Sequence, residues 1–351
     1  MRILFHLGHP AHFHLFKNVI IKLQKNGFET DILIKEKDVL KNLLEHSGLK
    51  YQNVLPEGKS SGMNGLIKDL YRRGSRIISF CRKNKPDVLV GTSADISYVG
   101  KFLGITSINV NEDDADVIPF YAWISYPLAN VILTPVCCNN GRWDKKSTKY
   151  NGYHELAYLH PDHFKSDARV VSKYVDVEKP FFIIRFSSLG AHHDEGVRGV
   201  SDQLAKKLIN TLKDYGQIFI TSEREMNQEL EPYRLPVNPI DMHHMLAHAK
   251  LVIGDSQTMS AEAGVLGTPY IRYNDFVGKI GYLHELEEKY KLGFGITPDH
   301  PDKLISIAEE LASDPDTDEI FKERREKMLS EKINVADFLY EYITNFLNSK
   351  S

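Results

Sequence analysis

The sequence predicts an α/β protein of two Rossmann-like domains, each built on a parallel sheet, with the two sheets facing a shared cleft. Three observations carry that prediction. Short β-branched runs alternate with amphipathic helical stretches along the whole chain. The 351 residues exceed what one hydrophobic core ordinarily supports. One strand–turn–helix segment of the first half recurs in the second.

In chain order, strands are expected near Ile3–Leu7, Glu29–Ile34, Asp87–Val90, Thr106–Val110 and Val131–Leu133, with helical patterns between them. The second half repeats the alternation. Strands are expected near Phe181–Arg185, Gln217–Thr221, Leu251–Ile253 and Pro269–Tyr273, and helices near Val200–Asp214, Thr258–Leu266 and Pro301–Ala312. Polar Asn139–Lys149 and the mixed-charge stretch Lys165–Lys179 read as connecting chain, which puts the boundary near Asp167. The expected domains are therefore 1–166 and 167–333, followed by a helix over 334–351. That helix carries Val335, Phe338, Leu339, Tyr342, Ile343, Phe346 and Leu347 on one stripe, and the first domain is the candidate surface to bury it.

The recurrence holds without a gap. Val88-Leu89-Val90-Gly91-Thr92-Ser93 aligns with Leu251-Val252-Ile253-Gly254-Asp255-Ser256, and downstream Ser97 falls on Ser260, Leu103 on Leu266, Gly104 on Gly267, Ile108 on Ile271 and Asn111 on Asn274. Each copy reads as strand, tight glycine turn, helix, glycine stop, strand. Each half thus carries an equivalent loop at the carboxyl end of a strand, where open α/β sheets bind ligands.

Composition narrows the class. Hydrophobic residues make up 42% and charged residues 26%, the balance of a soluble globular protein. A net charge of -3 gives no nucleic-acid footprint. Met1 leads at once into a strand-like run rather than a charged and apolar leader, and no apolar run is long enough to span a bilayer, so a cytoplasmic enzyme is expected. Cys81, Cys137 and Cys138 show no Cys-x-x-Cys spacing and read as reduced thiols.

The strongest local signal runs from Gly254 through Asp255, Ser256, Gln257, Thr258, Met259 and Glu262 to Gly267 and Pro269. A strand ends there in Gly-Asp-Ser. The hydroxyls of Ser256 and Thr258 then sit beside the unpaired amides of a new helix, which is an anion site, and Glu262 one turn on can accept from a ribose diol. The plain alternative is that Asp255 or Ser256 only caps the helix. The segment resembles the nucleotide-sugar motif of GT-B enzymes, particularly non-hydrolysing UDP-N-acetylglucosamine 2-epimerases. The match rests on Asp255, Ser256, Glu262, Ala263, Leu266, Gly267 and Pro269, while Gln257, Thr258, Ser260 and Ala261 depart from it. The resemblance implies that Ser256 and Glu262 hold diphosphate and ribose, which requires both to be open rather than packed away. From Gly8-His9-Pro10-Ala11-His12 through Tyr153-His154-Glu155 to this motif, the chain is also similar to the domain of unknown function 354 family, a GT-B-like family. That implies an N-terminal acceptor and catalytic domain and a C-terminal nucleotide-sugar-binding domain.

The first loop, Gly8 to His14, resembles in placement the Gly/His loop of lipid-linked N-acetylglucosamine transferases. His9 and His12 are the candidate bases there, with an imidazole pKa of about 6.5 suited to deprotonating a hydroxyl. Loop-ordering hydrogen bonds are the bland alternative. His12-x-His14 also fits a metal pair with a third ligand from the acidic run Glu112–Asp116, which includes Asp114-x-Asp116, but GT-B chemistry needs no metal and such a run is usually solvated, so no metal is expected. Epimerase-like chemistry would instead use Asp95, Glu112 and His192 or His193, by resemblance to the 2-epimerases; that family's arginine-rich signature is missing, but Arg185 and Arg198 flank the loop that carries Ser187 and Ser188, for phosphate binding or, equally, for salt bridging and solvation. Ile240 or Met242 is placed to pack on a pyrimidine, although core packing is the commoner fate. Lys68–Lys85 sets seven cations against Asp69 with apolar residues interleaved: a solvated helix, or a peripheral contact with the inner face of a membrane.

The expected function is a nucleotide-sugar-dependent GT-B glycosyltransferase of surface polysaccharide or glycoconjugate synthesis. The alternatives are a UDP-N-acetylglucosamine 2-epimerase-like enzyme and a non-catalytic nucleotide-sugar-binding protein. The expected ligands are a nucleotide-sugar, taken as a UDP-sugar, as substrate rather than cofactor, and a glycan or lipid-linked acceptor. Nucleic acid is not among the partners, and a homodimer is left open.

Overall fold

The computed structural model describes residues 1–35, 38–56, 62–188 and 198–349. The candidate residues His192 and His193 lie outside the described residues. The chain divides into two compact units, Met1–Tyr158 with Ile333–Ser351, and Leu159–Lys332. The passage at Tyr158 falls earlier than the boundary expected near Asp167.

Unit 1 runs β1 (Arg2–Leu7), α1 (Pro10–Lys25), β2 (Glu29–Ile34), α2 (Asp38–Ser47), β3 (Gln52–Asn53), α3 (Gly62–Asn84), β4 (Val88–Gly91), α4 (Ala94–Leu103), β5 (Thr106–Val110), α5 (Pro119–Ser125), β6 (Val131–Pro135) and β7 (Ser147–Tyr150). Its seven strands are ordered β3-β2-β1-β4-β5-β6-β7 and pair in parallel throughout. Ile3, Leu4 and Phe5 of β1 are each fully buried, as in a sheet covered on both faces. Leu4, Leu33, Ile77, Leu89, Ile96 and Val99 form the core between sheet and helices.

Unit 2 runs α6 (Ala168–Val171), β8 (Phe181–Phe186), α7 (Asp202–Leu212), β9 (Gln217–Ser222), α8 (Met242–His248), β10 (Leu251–Gly254), α9 (Gln257–Leu266), β11 (Tyr270–Tyr273), α10 (Gly281–His284), β12 (Gly293–Ile296), α11 (Pro301–Ser313) and α12 (Thr317–Glu331). Its five strands, also parallel, are ordered β12-β11-β10-β8-β9. Both sheets reverse their strand order once, between β1 and β4 in unit 1 and between β8 and β10 in unit 2. Such a reversal opens a crevice at the carboxyl ends of the two strands.

The internal repeat is structural. Gly91 pairs in register with His6, and Gly254 with Arg185. A Cβ at either glycine would stand 2.7 Å from the carbonyl oxygen of that partner, so both strand ends need glycine for the same reason. Gly104 and Gly267 close α4 and α9 in the left-handed conformation, at φ 70 and φ 87.

The final helix, α13 (Val335–Asn348), belongs to unit 1 and packs along α1, as its stripe requires. Lys22 Nζ meets Asp337 Oδ1 at 2.7 Å, and the Phe338 ring lies 5.0 Å from that of Tyr150. Two local expectations are corrected. The polar stretch Asn139–Lys149 is not a linker: its end enters β7, an edge strand of which only Tyr150 is buried, so the three residues before it can be polar. And α1 starts at Pro10, with His9 as its cap, so His12 and His14 are helical rather than in an extended loop.

Candidate functional site

The unit 2 crevice is built by the ends of β8 and β10 and the start of α9. Ser256 caps α9, its Oγ accepting from Met259 N at 3.3 Å, and its carbonyl accepts from Ser260 Oγ at 2.7 Å. The next two amides, of Gln257 and Thr258, have no intrahelical acceptor by the geometry of a helix start. Ser256, Gln257 and Thr258 are partly exposed, whereas Gly254, Asp255 and Met259 are buried. The surface offered at this junction is therefore two hydroxyls, an amide side chain and backbone N–H groups at the positive end of a helix, a set that binds oxyanions.

Asp255 does not join that surface. One carboxylate oxygen accepts from Ser187 N at 2.6 Å and Ser187 Oγ at 2.9 Å, and the other accepts from Val200 N at 3.2 Å. Burial pushes this carboxyl above the usual carboxylate range, against the pull of those donors. Asp255 and Ser187, both expected at a ligand, are spent on each other and tie the β8 loop to β10. Asn274, the repeat partner of Asn111, donates to the Asp255 carbonyl at 2.9 Å and fixes the turn from the other side.

Glu262 also departs from expectation. It is 6% exposed, and its Oε1 lies 3.0 Å from His243 Nε2. The carboxylate ties α9 to α8 rather than standing open for a ribose. Arg185 pairs with Glu223, and its Nε is buried with no acceptor. Ser188 is exposed, its amide 3.4 Å from Glu223 Oε2. Met242 and Ile240 are only partly buried, at the start of α8 and just before it.

In unit 1 the crevice lies at the ends of β1 and β4. His9 is exposed, and its Nδ1 accepts from Ala11 N at 3.2 Å. His12 Nδ1 accepts from Gly8 N at 3.1 Å, with Thr92 Oγ1 2.7 Å from the ring. A neutral imidazole whose Nδ1 accepts carries its proton on Nε2. Both rings thus carry loop-ordering hydrogen bonds to backbone amides. His14 turns away, its ring 5.2 Å from that of Tyr158, because residues two apart on a helix do not share a face. Among the described residues no cluster of His, Cys, Asp and Glu has the makings of a metal site.

Asp95 is sealed. Arg73 Nε lies 3.1 and 3.3 Å from its two oxygens, Tyr98 donates to it at 2.7 Å, and the ion-paired side chains are 9% and 6% exposed. It locks α4 to α3. Glu112 is more open, at 16%. It accepts from His154 N at 3.0 Å, and its Oε1 is 3.2 Å from His154 Nδ1. Burial holds the His154 imidazole neutral, with its pKa pushed down to about 3.

Sequence reasoning missed His6. It is 1% exposed on β1, its Nδ1 2.6 Å from Ser93 Oγ and its Nε2 without a partner, and burial lowers its pKa. Its register opposite Gly91 is the one available signal, and that register is visible only once β1 and β4 are known to pair. The pairings of His154 with Glu112 and of His243 with Glu262 escaped for the same reason: the partners are distant in the chain.

The architecture has solved relatives. The UDP-GlcNAc 2-epimerase of Neisseria meningitidis bound to UDP-GlcNAc superposes with a TM-score of 0.72 at 12% identity, covering 98% of this chain and 100% of that one. The Methanocaldococcus jannaschii UDP-GlcNAc 2-epimerase in complex with UDP-GlcNAc and UDP gives 0.68 at 16% identity, covering 99% and 100%. The Streptomyces sp. SF2575 glycosyltransferase SsfS6, complexed with thymidine diphosphate, gives 0.61 at 13% identity, covering 98% and 99%. Likeness at these identities establishes the GT-B fold, which epimerases and glycosyltransferases share. No curated protein matches the sequence. The family model described as "Protein of unknown function (DUF354)" matches residues 1–279, and the chain belongs to that family.

Proposed function

We propose that the protein is a nucleotide-sugar-dependent glycosyltransferase of the GT-B type, acting on a UDP-sugar and a glycan or lipid-linked acceptor. In this reading the diphosphate lies on the start of α9, held by the amides of Gln257 and Thr258 and the hydroxyls of Ser256 and Thr258, where a helix N-terminus also stabilises the charge on the departing diphosphate. Unit 1 takes the acceptor. Glu112, steered by His154, receives the acceptor proton, and His9 and His12 donate to acceptor or sugar oxygens.

The observation that carries the choice of transferase over epimerase is the Arg73–Asp95–Tyr98 cluster. Proton removal and return at a sugar carbon needs two working groups, and Asp95 is neutralised by an ion pair and enclosed. Transfer needs one base, and Glu112 supplies it.

The test is incubation of purified protein with UDP-N-acetylglucosamine, with and without a panel of glycan and lipid-linked acceptors. UDP release coupled to acceptor labelling is expected only when acceptor is present. Inversion at C2, or exchange of the C2 proton with solvent in the absence of acceptor, would overturn the reading in favour of an epimerase. Tight nucleotide-sugar binding without turnover, seen as a retained ligand in native mass spectrometry of protein taken from cells, would point to a binding protein.

A further inference from the structure

Among the described residues, the four most exposed large hydrophobic side chains are Tyr71 at 77%, Phe102 at 66%, Phe120 at 65% and Trp123 at 60%. All four line one groove of unit 1 with a volume of about 1140 Å³, bounded by α3, α4 and α5 and floored by Tyr98. The groove exists because α3 is thin at one point. A Cβ at Gly74 would stand 2.6 Å from the Tyr98 hydroxyl, so glycine there lets Tyr98 lie across the helix and reach the Leu70 carbonyl at 3.1 Å. None of the four aromatic residues belongs to the candidate site.

Isolated apolar side chains on a surface need no explanation, but four large aromatic ones gathered on one concave patch mark a contact surface. Its chemistry is set by the rim. On α3, Lys68, Arg82 and Lys83 are exposed, while the helix's single acid, Asp69, is buried. Lys101 is exposed beside Phe102, and the guanidinium of Arg142 stacks 3.6 Å over the ring of Trp123. Two copies meeting through this face would bring like charges together. An anionic surface with an apolar layer beneath it satisfies both parts: aromatic rings settle at the headgroup–acyl boundary, and the cations meet lipid phosphates.

We propose that the α3–α4–α5 groove docks the protein onto an anionic bilayer surface, with Phe120 and Trp123 entering the interface and Arg82, Lys83, Lys101 and Arg142 binding headgroups. No helix among the described residues is long and apolar enough to cross a membrane, so the contact is peripheral. The inference does not rest on the nucleotide-sugar reading.

The experiment is sedimentation with vesicles of phosphatidylcholine alone or of phosphatidylcholine mixed with phosphatidylglycerol, at low and high salt, without nucleotide. Binding is expected only to the anionic vesicles and is expected to weaken with salt. Arg82→Glu/Lys83→Glu is expected to weaken it by at least about fivefold per charge removed, and Phe120→Ser/Trp123→Ser by about tenfold or more. A Trp143→Phe variant leaves Trp123 as the sole tryptophan, and its emission is expected to shift to the blue on adding anionic vesicles. Circular dichroism checks that each variant is folded, and UDP affinity is expected to be unchanged in both double variants. Failure to bind anionic vesicles at low salt overturns the proposal. So does binding that Phe120→Ser/Trp123→Ser leaves intact, or a dimer in solution that this variant dissociates while vesicles go unbound.

Discussion

Replacing Asp95 by alanine strands the Arg73 guanidinium in the interior of unit 1, and the size of the effect follows from the local geometry. The two side chains are 9% and 6% exposed and lie within 3.1 and 3.3 Å of each other. The attraction within such a pair largely repays the cost of taking two charges out of water. Removing one partner leaves the other's cost uncovered, at about 3–5 kcal/mol. Tyr98 adds little, because its hydroxyl keeps the Leu70 carbonyl at 3.1 Å when Asp95 is gone. The double variant Arg73→Met/Asp95→Leu removes both charges and fills the space with apolar atoms, so its stability is expected to return to within about 1 kcal/mol of the original or exceed it. The chain's two tryptophans, Trp123 and Trp143, both lie in unit 1, so urea unfolding followed by tryptophan emission reads that unit alone. With an m-value of about 2 kcal/mol/M, the Asp95→Ala midpoint should fall by roughly 2 M. An unchanged midpoint in Asp95→Ala, or a double variant no better than the single ones, would refute the reasoning. Acceptor-dependent turnover is expected to survive in the double variant, because a lock between helices can be replaced whereas a proton carrier cannot.

Three further outcomes are expected. The folded-state pKa of His154, about 3, lies below the roughly 6.5 of an unfolded histidine, so the unfolded chain binds a proton that the native chain refuses. The stability of unit 1 should therefore be full above about pH 6.5 and be lost as pH falls toward 3. Urea midpoints read by tryptophan emission should drop between about pH 7.5 and pH 5, and less so in His154→Gln. Gly91→Ala and Gly254→Ala each press a methyl group on a strand carbonyl at 2.7 Å, costing about 1–3 kcal/mol, with only the Gly91 variant lowering the tryptophan midpoint. Ser256→Ala removes the cap of α9, and calorimetry should show about 1 kcal/mol lost in stability together with weaker UDP binding.

The periodicity and the internal repeat made most of the architecture legible, because they report on backbone geometry that each segment needs locally. Gly91 and Gly254, or Gly104 and Gly267, are required by contacts and dihedrals that recur wherever the same strand–helix unit is built. β12 was not seen in the sequence, because two of its four residues are glycine and the strand is made by its pairing with β11. The chemistry of the site was less legible. Whether a carboxylate is a base or a fastener depends on what faces it, and those partners come from other elements: Arg73 for Asp95, His154 for Glu112, His243 for Glu262. The sequence placed Asp95 at the start of a helix, Glu112 after a strand and Glu262 one turn into a helix, yet it held no information on which were already engaged. The same holds for His9 and His12, whose position was evident but whose bonds to the backbone amides of Ala11 and Gly8 were not.

The return of α13 to unit 1 bears on the order in which the protein can be completed during synthesis. Ile333 N donates to Asn151 O at 3.0 Å, so the strand of chain that leaves unit 1 and the strand that re-enters it are stitched side by side. Unit 2 is an insertion between two segments of unit 1, free to mature as a whole as it leaves the ribosome. Unit 1, although started first, keeps the flank of α1 uncovered until Leu339, Ile343 and Leu347 arrive. The N-terminal half is thus the last to close, and a nascent chain halted before α13 would present that flank to chaperones.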